Sequence, residues 1–94
     1  MNQPKILFRV HAVQRMFERK VSLSNVLQAL RSGETIEDYS AEMPEPGRLL
    51  LGFQGKHPFH MVTSENSETN EITVVTVYIP DPRKWDKDFK GRRS

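Results

Sequence analysis

The apolar residues of this 94-residue chain change their spacing at Gly33, and this change constrains the fold more than any other feature. Before Gly33 they recur every three or four positions, which is the period of an amphipathic α-helix. After Gly33 they alternate with polar residues in short runs rich in β-branched and aromatic side chains, as in β-strands. Helices followed by strands predict an α+β domain of two layers.

Two short helices are predicted in the first third of the chain. In the first, RVHAVQRMFERK (residues 9–20), the side chains of Val10, Val13 and Phe17 fall within one arc, with Met16 at its flank. We expect this apolar arc to pack against the sheet, because a short helix is stabilised mainly by burial of its apolar face.

The second helix is predicted in VSLSNVLQALRSGE. Ser22 or Ser24 can cap its start, and Gly33 suits the position just after its end. The apolar face of this helix consists of Leu23, Val26, Leu27 and Leu30.

Four strands are predicted after the helices, in the segments ETIEDYS, RLLLGFQ, KHPFHMVTS and EITVVTVYI. AEMPEPG marks a loop between the first two, and Gly55 with Lys56 suits a tight turn between the next two. Short connections favour an antiparallel meander. We therefore expect two helices on one face of an antiparallel sheet of about four strands. KILF (residues 5–8) is a candidate for one extra strand.

The chain, residues 1–94, is expected to form one domain, because its length allows a single modest core. Residues 83–94 form a basic C-terminal tail that follows the prolines ending the last strand. Trp85 and Phe89 stand four positions apart in this tail, between lysines. This pattern fits either a short helix that docks through the two rings or a mobile tail.

The charge is unevenly distributed. Residues 1–33 hold six basic and one acidic residue, residues 34–71 hold two and eight, and residues 72–94 hold six and three. The segments therefore carry +5, −6 and +3, which gives the overall charge of +2. If the two basic ends meet in space, they form a positive patch for a nucleic acid or an acidic partner. The alternative is charge scattered over the surface.

Composition excludes several classes of protein. The chain has no cysteine, so neither disulfides nor a thiolate zinc site can stabilise it. No apolar run approaches the roughly 20 residues of a membrane span, and no signal peptide is recognisable, so we expect a cytoplasmic protein with no membrane partner.

His57 and His60 are three apart, on opposite faces of a strand, which disfavours a metal site. No Gly-rich phosphate loop is present, and we expect no cofactor.

Several segments, taken in order, resemble a family of small uncharacterised bacterial proteins. They are HAVQRMFERKVS, GETIEDY, LLLGF, PFHMV, ITVVTVYIPDPRKW and the closing RR, from about Phe8 to Arg93. This domain-of-unknown-function family is thought to be related to RelE/ParE- and BrnT-type toxins. The resemblance implies a RelE/ParE-toxin-like fold and a toxin-like endoribonuclease of the mRNA interferase type. Such a protein acts on RNA or the ribosome and is paired with an antitoxin protein.

The resemblance makes His11, Arg15 and Tyr78 the candidate catalytic residues. A metal-independent endoribonuclease needs a proton-transfer group, and the unperturbed pKa of histidine, roughly 6.5, suits this role. Arginine can stabilise the phosphorane through two parallel donors. His11 and Arg15, one helical turn apart, could reach the same phosphate. The side chains expected to bind nucleic acid are Arg19, His60, Arg92 and Arg93.

Two other functions fit the same residues. A non-catalytic module could bind nucleic acid or protein on the basic face, and a homo-oligomer could bury a sheet edge or an apolar face in a second copy. An endoribonuclease predicts cut RNA, whereas a binding module predicts salt-sensitive affinity without turnover. An oligomer predicts a concentration-dependent mass instead.

Overall fold

The computed structural model describes residues 3–39 and 46–93 of the chain. Its helices are α1 (Val10–Arg19) and α2 (Leu23–Ser32). Its strands are β1 (Lys5–Phe8), β2 (Glu34–Asp38), β3 (Gly47–Gln54), β4 (His57–Asn66) and β5 (Glu71–Tyr78). The α+β class is confirmed. The loop predicted in AEMPEPG falls mostly outside the described residues. Neither described helix is long and apolar enough to cross a membrane.

The five strands form one sheet in the order β1-β5-β4-β3-β2. Strands β2 to β5 form the predicted antiparallel meander. The expected sheet of about four antiparallel strands has to be corrected, because β1 adds a fifth strand at the edge, parallel to β5. Lys5 lies opposite Glu71, and Phe8 lies opposite Val74. A run of four residues is too short to show alternation, and its partner strand is distant in sequence, so the sequence pattern does not reveal this pairing.

Both helices lie on one face of the sheet, where they bury the main apolar cluster. Its buried members are Ala12, Val21, Val26, Ala29, Leu50, Phe59, Met61, Val74 and Val77. α2 crosses β3 closely at Gly52, where an added Cβ would lie 2.6 Å from Phe59 Cζ and 2.8 Å from Ala29 Cβ. The predicted cap of α2 is present, because Ser22 Oγ accepts a hydrogen bond from the Asn25 backbone N–H at 3.2 Å.

α1 is rotated about its axis relative to the expected orientation. Ala12 is its buried residue, and Met16, one turn later, packs against the same cluster. The predicted apolar arc points to solvent instead: Val10 is 73% exposed, Val13 51% and Phe17 85%. The expectation that this arc packs on the sheet is therefore wrong. Alanine allows the helix backbone to approach β5 closely, whereas three larger side chains at the same interface would hold it away.

The C-terminal tail covers the opposite face of the sheet. The strand side chains buried on this face include Leu49, Leu51 and His60. Trp85 packs edge-on against His60, with ring centroids 4.4 Å apart, and is itself buried. A bridge between Trp85 and Arg92 and a hydrogen bond from the Arg93 N–H to the Lys84 carbonyl at 2.9 Å fold the tail back on itself. The tail thus docks through turns, and the short helix offered as one alternative does not form.

Candidate functional site

α1 carries three of the predicted site residues along one side. His11, Arg15 and Arg19 stand at successive turns, so their side chains occupy neighbouring positions on the helix surface. His11 and Arg19 are exposed. Arg15 Nη1 donates to Glu18 Oε1 at 3.0 Å in an exposed ion pair, which contributes little to stability. The helix therefore brings His11 and Arg15 together on an accessible surface.

Tyr78 lies on the other side of the sheet. It follows Val77, whose side chain belongs to the cluster under the helices, so strand alternation directs Tyr78 to the opposite face. There its ring lies 5.2 Å from the ring of His60. The sheet therefore separates Tyr78 from His11 and Arg15. A catalytic role for each of these three residues stays a prediction.

His60, on β4, is fully buried beneath the tail. Its Nε2 donates to the carbonyl of Phe89 at 2.9 Å, because a carbonyl can only accept. The Nδ1 of the neutral ring then accepts from the Tyr78 hydroxyl at 3.1 Å. Burial lowers the pKa of His60 below its ordinary value of 6.5, and burial also raises the pKa of Tyr78. The neutral ring of His60 therefore joins the tail to the sheet.

Arg92 joins the tail to β2. Its Nε and Nη2 donate to the two carboxylate oxygens of Glu37 at 3.0 and 3.2 Å. Its guanidinium carbon lies 4.6 Å from the centroid of the Trp85 ring, in a cation–π contact. Tyr39 donates its hydroxyl to Glu37 as well. Arg92 holds the pKa of Glu37 below its usual value, while burial and the bond to Glu37 raise the pKa of Tyr39 to about 12.

Other cations of the tail are also engaged within the chain. Lys90 Nζ lies 3.2 Å from Glu34 Oε1, so the basic tail pairs with the acidic middle segment. Arg93 Nε donates to the carbonyls of Pro82 and Trp85 at 2.9 and 2.7 Å. The nucleic-acid roles expected for the arginines of the tail and for the buried histidine stay predictions. His60 is fully buried and would have to leave its present contacts to reach a phosphate, whereas Arg92 and Arg93 are exposed.

A cleft of about 630 Å³ opens between α2, the end of β3 and the tail. β2 pairs with β3 only as far as Leu51, so β2 leaves the outer edge of the last residues of β3 uncovered. Two aromatic residues, Phe53 and Phe89, line the cleft. Three lysines line it too: Lys56, Lys87 and Lys90. We call this site the lysine cleft.

Sequence reasoning missed both the Glu37 carboxylate and the lysine cleft. Glu37 and Tyr39 stand two positions apart, a spacing that signals a shared strand face, but no local pattern connects them to Arg92. The cleft joins residues from three distant segments, which leaves no spacing to detect. Among the described residues, no three histidine, aspartate or glutamate side chains come together as a metal site.

The fold and these surfaces define a small α+β domain with two helices on one face of a five-stranded mixed sheet and a C-terminal tail on the other. Residues 8–79 match the family described as a domain of unknown function, DUF4258. The chain belongs to this family, which confirms the resemblance to an uncharacterised family. No curated protein and no solved structure matches the chain significantly.

Proposed function

We propose that this chain is a binding module whose outer α1 surface binds an acidic protein partner. The observation that carries the proposal is the outer stripe, which we define as Val10, Val13 and Phe17. These side chains follow the spacing i, i+3 and i+7 on one side of the helix. Large apolar side chains grouped on one exposed face are typical of a protein interface, and aromatic residues at the centre of such faces contribute most of the binding energy.

The charge around the outer stripe supports an acidic partner. Arg9, Arg15, Arg19 and Lys20 lie in or beside α1, against one acidic residue, Glu18. A second copy docked through the same stripe would bring two such basic helices together, and their repulsion disfavours a homodimer. An acidic protein would gain attraction and burial together. The resemblance to antitoxin-paired toxins suggests one candidate for this partner, an acidic protein encoded beside this chain. We propose the RelE/ParE-like fold on the same ground.

The test compares the wild-type chain with the variant Phe17→Ser. Proteins from the native cells that the wild-type chain captures, and that Phe17→Ser does not, are purified. The Kd of each for the wild-type chain is then measured by calorimetry. Loss of the aromatic side chain of the outer stripe should raise the Kd by about 30-fold or more. Phe53→Ser removes a ring of similar type from the far side of the sheet and should leave the Kd within about twofold. An equal rise in Kd for both variants would contradict the proposal. A molecular mass of the chain that doubles as its concentration increases would favour a second copy of this chain as the partner.

A second candidate is the metal-independent toxin-like endoribonuclease, acting on RNA alone or on the ribosome. The accessible row of His11, Arg15 and Arg19 on α1 favours it. In this arrangement His11 would transfer a proton, while Arg15 would stabilise the phosphorane and Arg19 would bind a neighbouring phosphate. Tyr78 lies on the opposite face of the sheet, so this arrangement of the three helix residues does not include it.

RNA cleavage by the purified chain, with and without ribosomes, tests this second candidate. His11→Ala should reduce the cleavage rate by about 10²- to 10⁴-fold, and Arg15→Lys should also lose most activity because lysine lacks the planar pair of donors. Tyr78→Phe serves as the control and should cleave RNA at the wild-type rate. Wild-type cleavage by His11→Ala, at an unchanged melting temperature, would reject a catalytic role for the helix.

A further inference from the structure

The lysine cleft has no lining residue in α1, so the proposed protein-binding surface does not account for it. Its volume of about 630 Å³ lies inside the range of roughly 300–1,000 Å³ typical of small-molecule sites. Its floor is formed where α2 crosses β3, and its outer wall is the tail. The cleft is therefore formed by three separate segments of the chain.

Two aromatic residues that line this cleft, Phe53 and Phe89, are not fully buried by the chain itself. Phe53 is 49% exposed, on the part of β3 that β2 leaves uncovered. Phe89 has a φ of 61°, a left-handed conformation that is rare for a bulky residue. This conformation accompanies the hydrogen bond from buried His60 to the carbonyl of Phe89, a residue that lines the cleft. The tail thus keeps a strained conformation at a wall of the cleft, a feature common at binding sites.

Two free cations accompany the rings. Within the part of the chain that the structure describes, neither Lys56 nor Lys87 makes an ion pair or a side-chain hydrogen bond. Lys90 differs, because it is paired with Glu34. Asp88 also lines the cleft, and its Oδ1 accepts a hydrogen bond from the Lys90 backbone N–H at 3.1 Å. Two unpaired ammonium groups beside two accessible rings suit a ligand that combines negative charge with a planar body.

We propose that the lysine cleft binds a nucleoside phosphate, with the base against Phe53 and Phe89 and the phosphate near Lys56 and Lys87. Aromatic rings stack on every base, and lysines bind phosphate without regard to sequence. The exposed side chain of Gln28 on α2 lines the same cleft and offers a donor and an acceptor to the edge of the base. The same chemistry occurs in a free mononucleotide and in one nucleotide of single-stranded RNA.

The experiment follows the backbone amide NMR signals of the ¹⁵N-labelled chain during titration with four probes. The probes are AMP, adenosine, inorganic phosphate and a single-stranded RNA of about eight nucleotides. We expect AMP or the RNA to shift the signals of residues 52–56 and 87–90. We expect adenosine and phosphate alone to bind at least about tenfold more weakly, because each supplies half of the contacts. Binding of AMP assigns the site to free nucleotides, whereas binding of the RNA alone assigns it to single strands.

Matched variants make the assignment specific. Phe53→Ser and Lys87→Gln should each raise the Kd of the bound probe by about tenfold, the usual effect of losing one stacked ring or one phosphate contact. Phe53 and Lys87 are both exposed, so the variants should fold, and their melting temperatures check this. Phe17→Ser, on α1, should bind the probe as the wild type does. Three results would each overturn the proposal: no shifts at the cleft with AMP or RNA, phosphate binding as tight as AMP binding, or wild-type affinity in both cleft variants.

Discussion

The two faces of the sheet are covered by different kinds of contact. On the helix side, α1 and α2 pack against an apolar cluster around Phe59, and the stabilisation follows the area removed from water. On the tail side, His60, Trp85 and the Arg92–Glu37 pair join the segments through contacts that depend on angle and protonation. The helix layer is therefore held by apolar packing, whereas the tail layer combines buried apolar side chains with hydrogen bonds that depend on protonation.

Removing a ring from each face should have different effects on stability. We expect Phe59→Ala to lower the free energy of unfolding by about 3–5 kcal/mol, because a fully buried ring leaves a cavity under α2. Urea unfolding followed by circular dichroism measures this loss. Phe53→Ala, which truncates a half-exposed ring, is the matched control and should lose less than about 1 kcal/mol.

A smaller, local effect is expected on the tail side. Trp85→Ala should release the tail without unfolding the helices, because the contacts that this ring makes lie outside the helix cluster. Hydrogen exchange should then accelerate by at least about tenfold for residues 84–93, while the amides of α1 and α2 keep their protection. Equal loss of protection in both regions would show that the two layers unfold as one unit.

Acid should weaken the tail side alone. Burial lowers the pKa of His60 in the folded chain, so the unfolded chain binds the proton more readily. The stability due to neutral His60 is present above about pH 6.5 and is lost as the pH falls through its lower, folded-state pKa. We expect the free energy of unfolding to decrease as the pH falls below about 6.5 and before Glu37, whose pKa is also lowered, begins to titrate. His60→Phe should flatten this dependence, and an unchanged slope would contradict the assignment.

The smallest effect is expected on the outer side of α1. Val13→Asp should change the free energy of unfolding by no more than about 0.5 kcal/mol, because Val13 faces solvent. Ala12→Asp, one residue earlier, places a charge inside the helix cluster and should unfold the chain. Thermal melting compares the two variants directly. If Val13→Asp unfolded the chain, the result would support the orientation of α1 that the sequence pattern indicates, with Val13 packed against the sheet.

Local patterns were sufficient to predict most of the elements. The change of period at Gly33, the cap at Ser22 and the turn at Gly55 are each encoded by neighbouring residues, and all three are confirmed. A helical wheel identified the apolar arc of α1 but could not show which arc faces the sheet. That choice depends on the shape of the surface beneath, where Ala12 fits and the larger side chains do not.

The candidate sites were harder to predict because their residues meet only in the folded chain. Spacing correctly placed His11 and Arg15 on one side of a helix. Spacing could not show that the side chain of Tyr78 lies on the face of the sheet opposite the helices, since that depends on the register of β5 against β4. The pairing of Arg92 with Glu37 likewise joins the tail to the second strand, and no periodicity extends over such a separation.

The position of β1 beside β5 has a consequence for biosynthesis. A chain emerges from the ribosome with its N-terminus first, so β1 and both helices are made before the strand that pairs with β1 exists. During that interval the backbone donors and acceptors of β1 remain without a sheet partner, and the side chains of α1 lack the strand on which they pack. Closure of the sheet then requires contacts between early and late segments, which makes it a slow, non-local step. The nascent chain is therefore most exposed to aggregation and to chaperone capture just before β5 emerges.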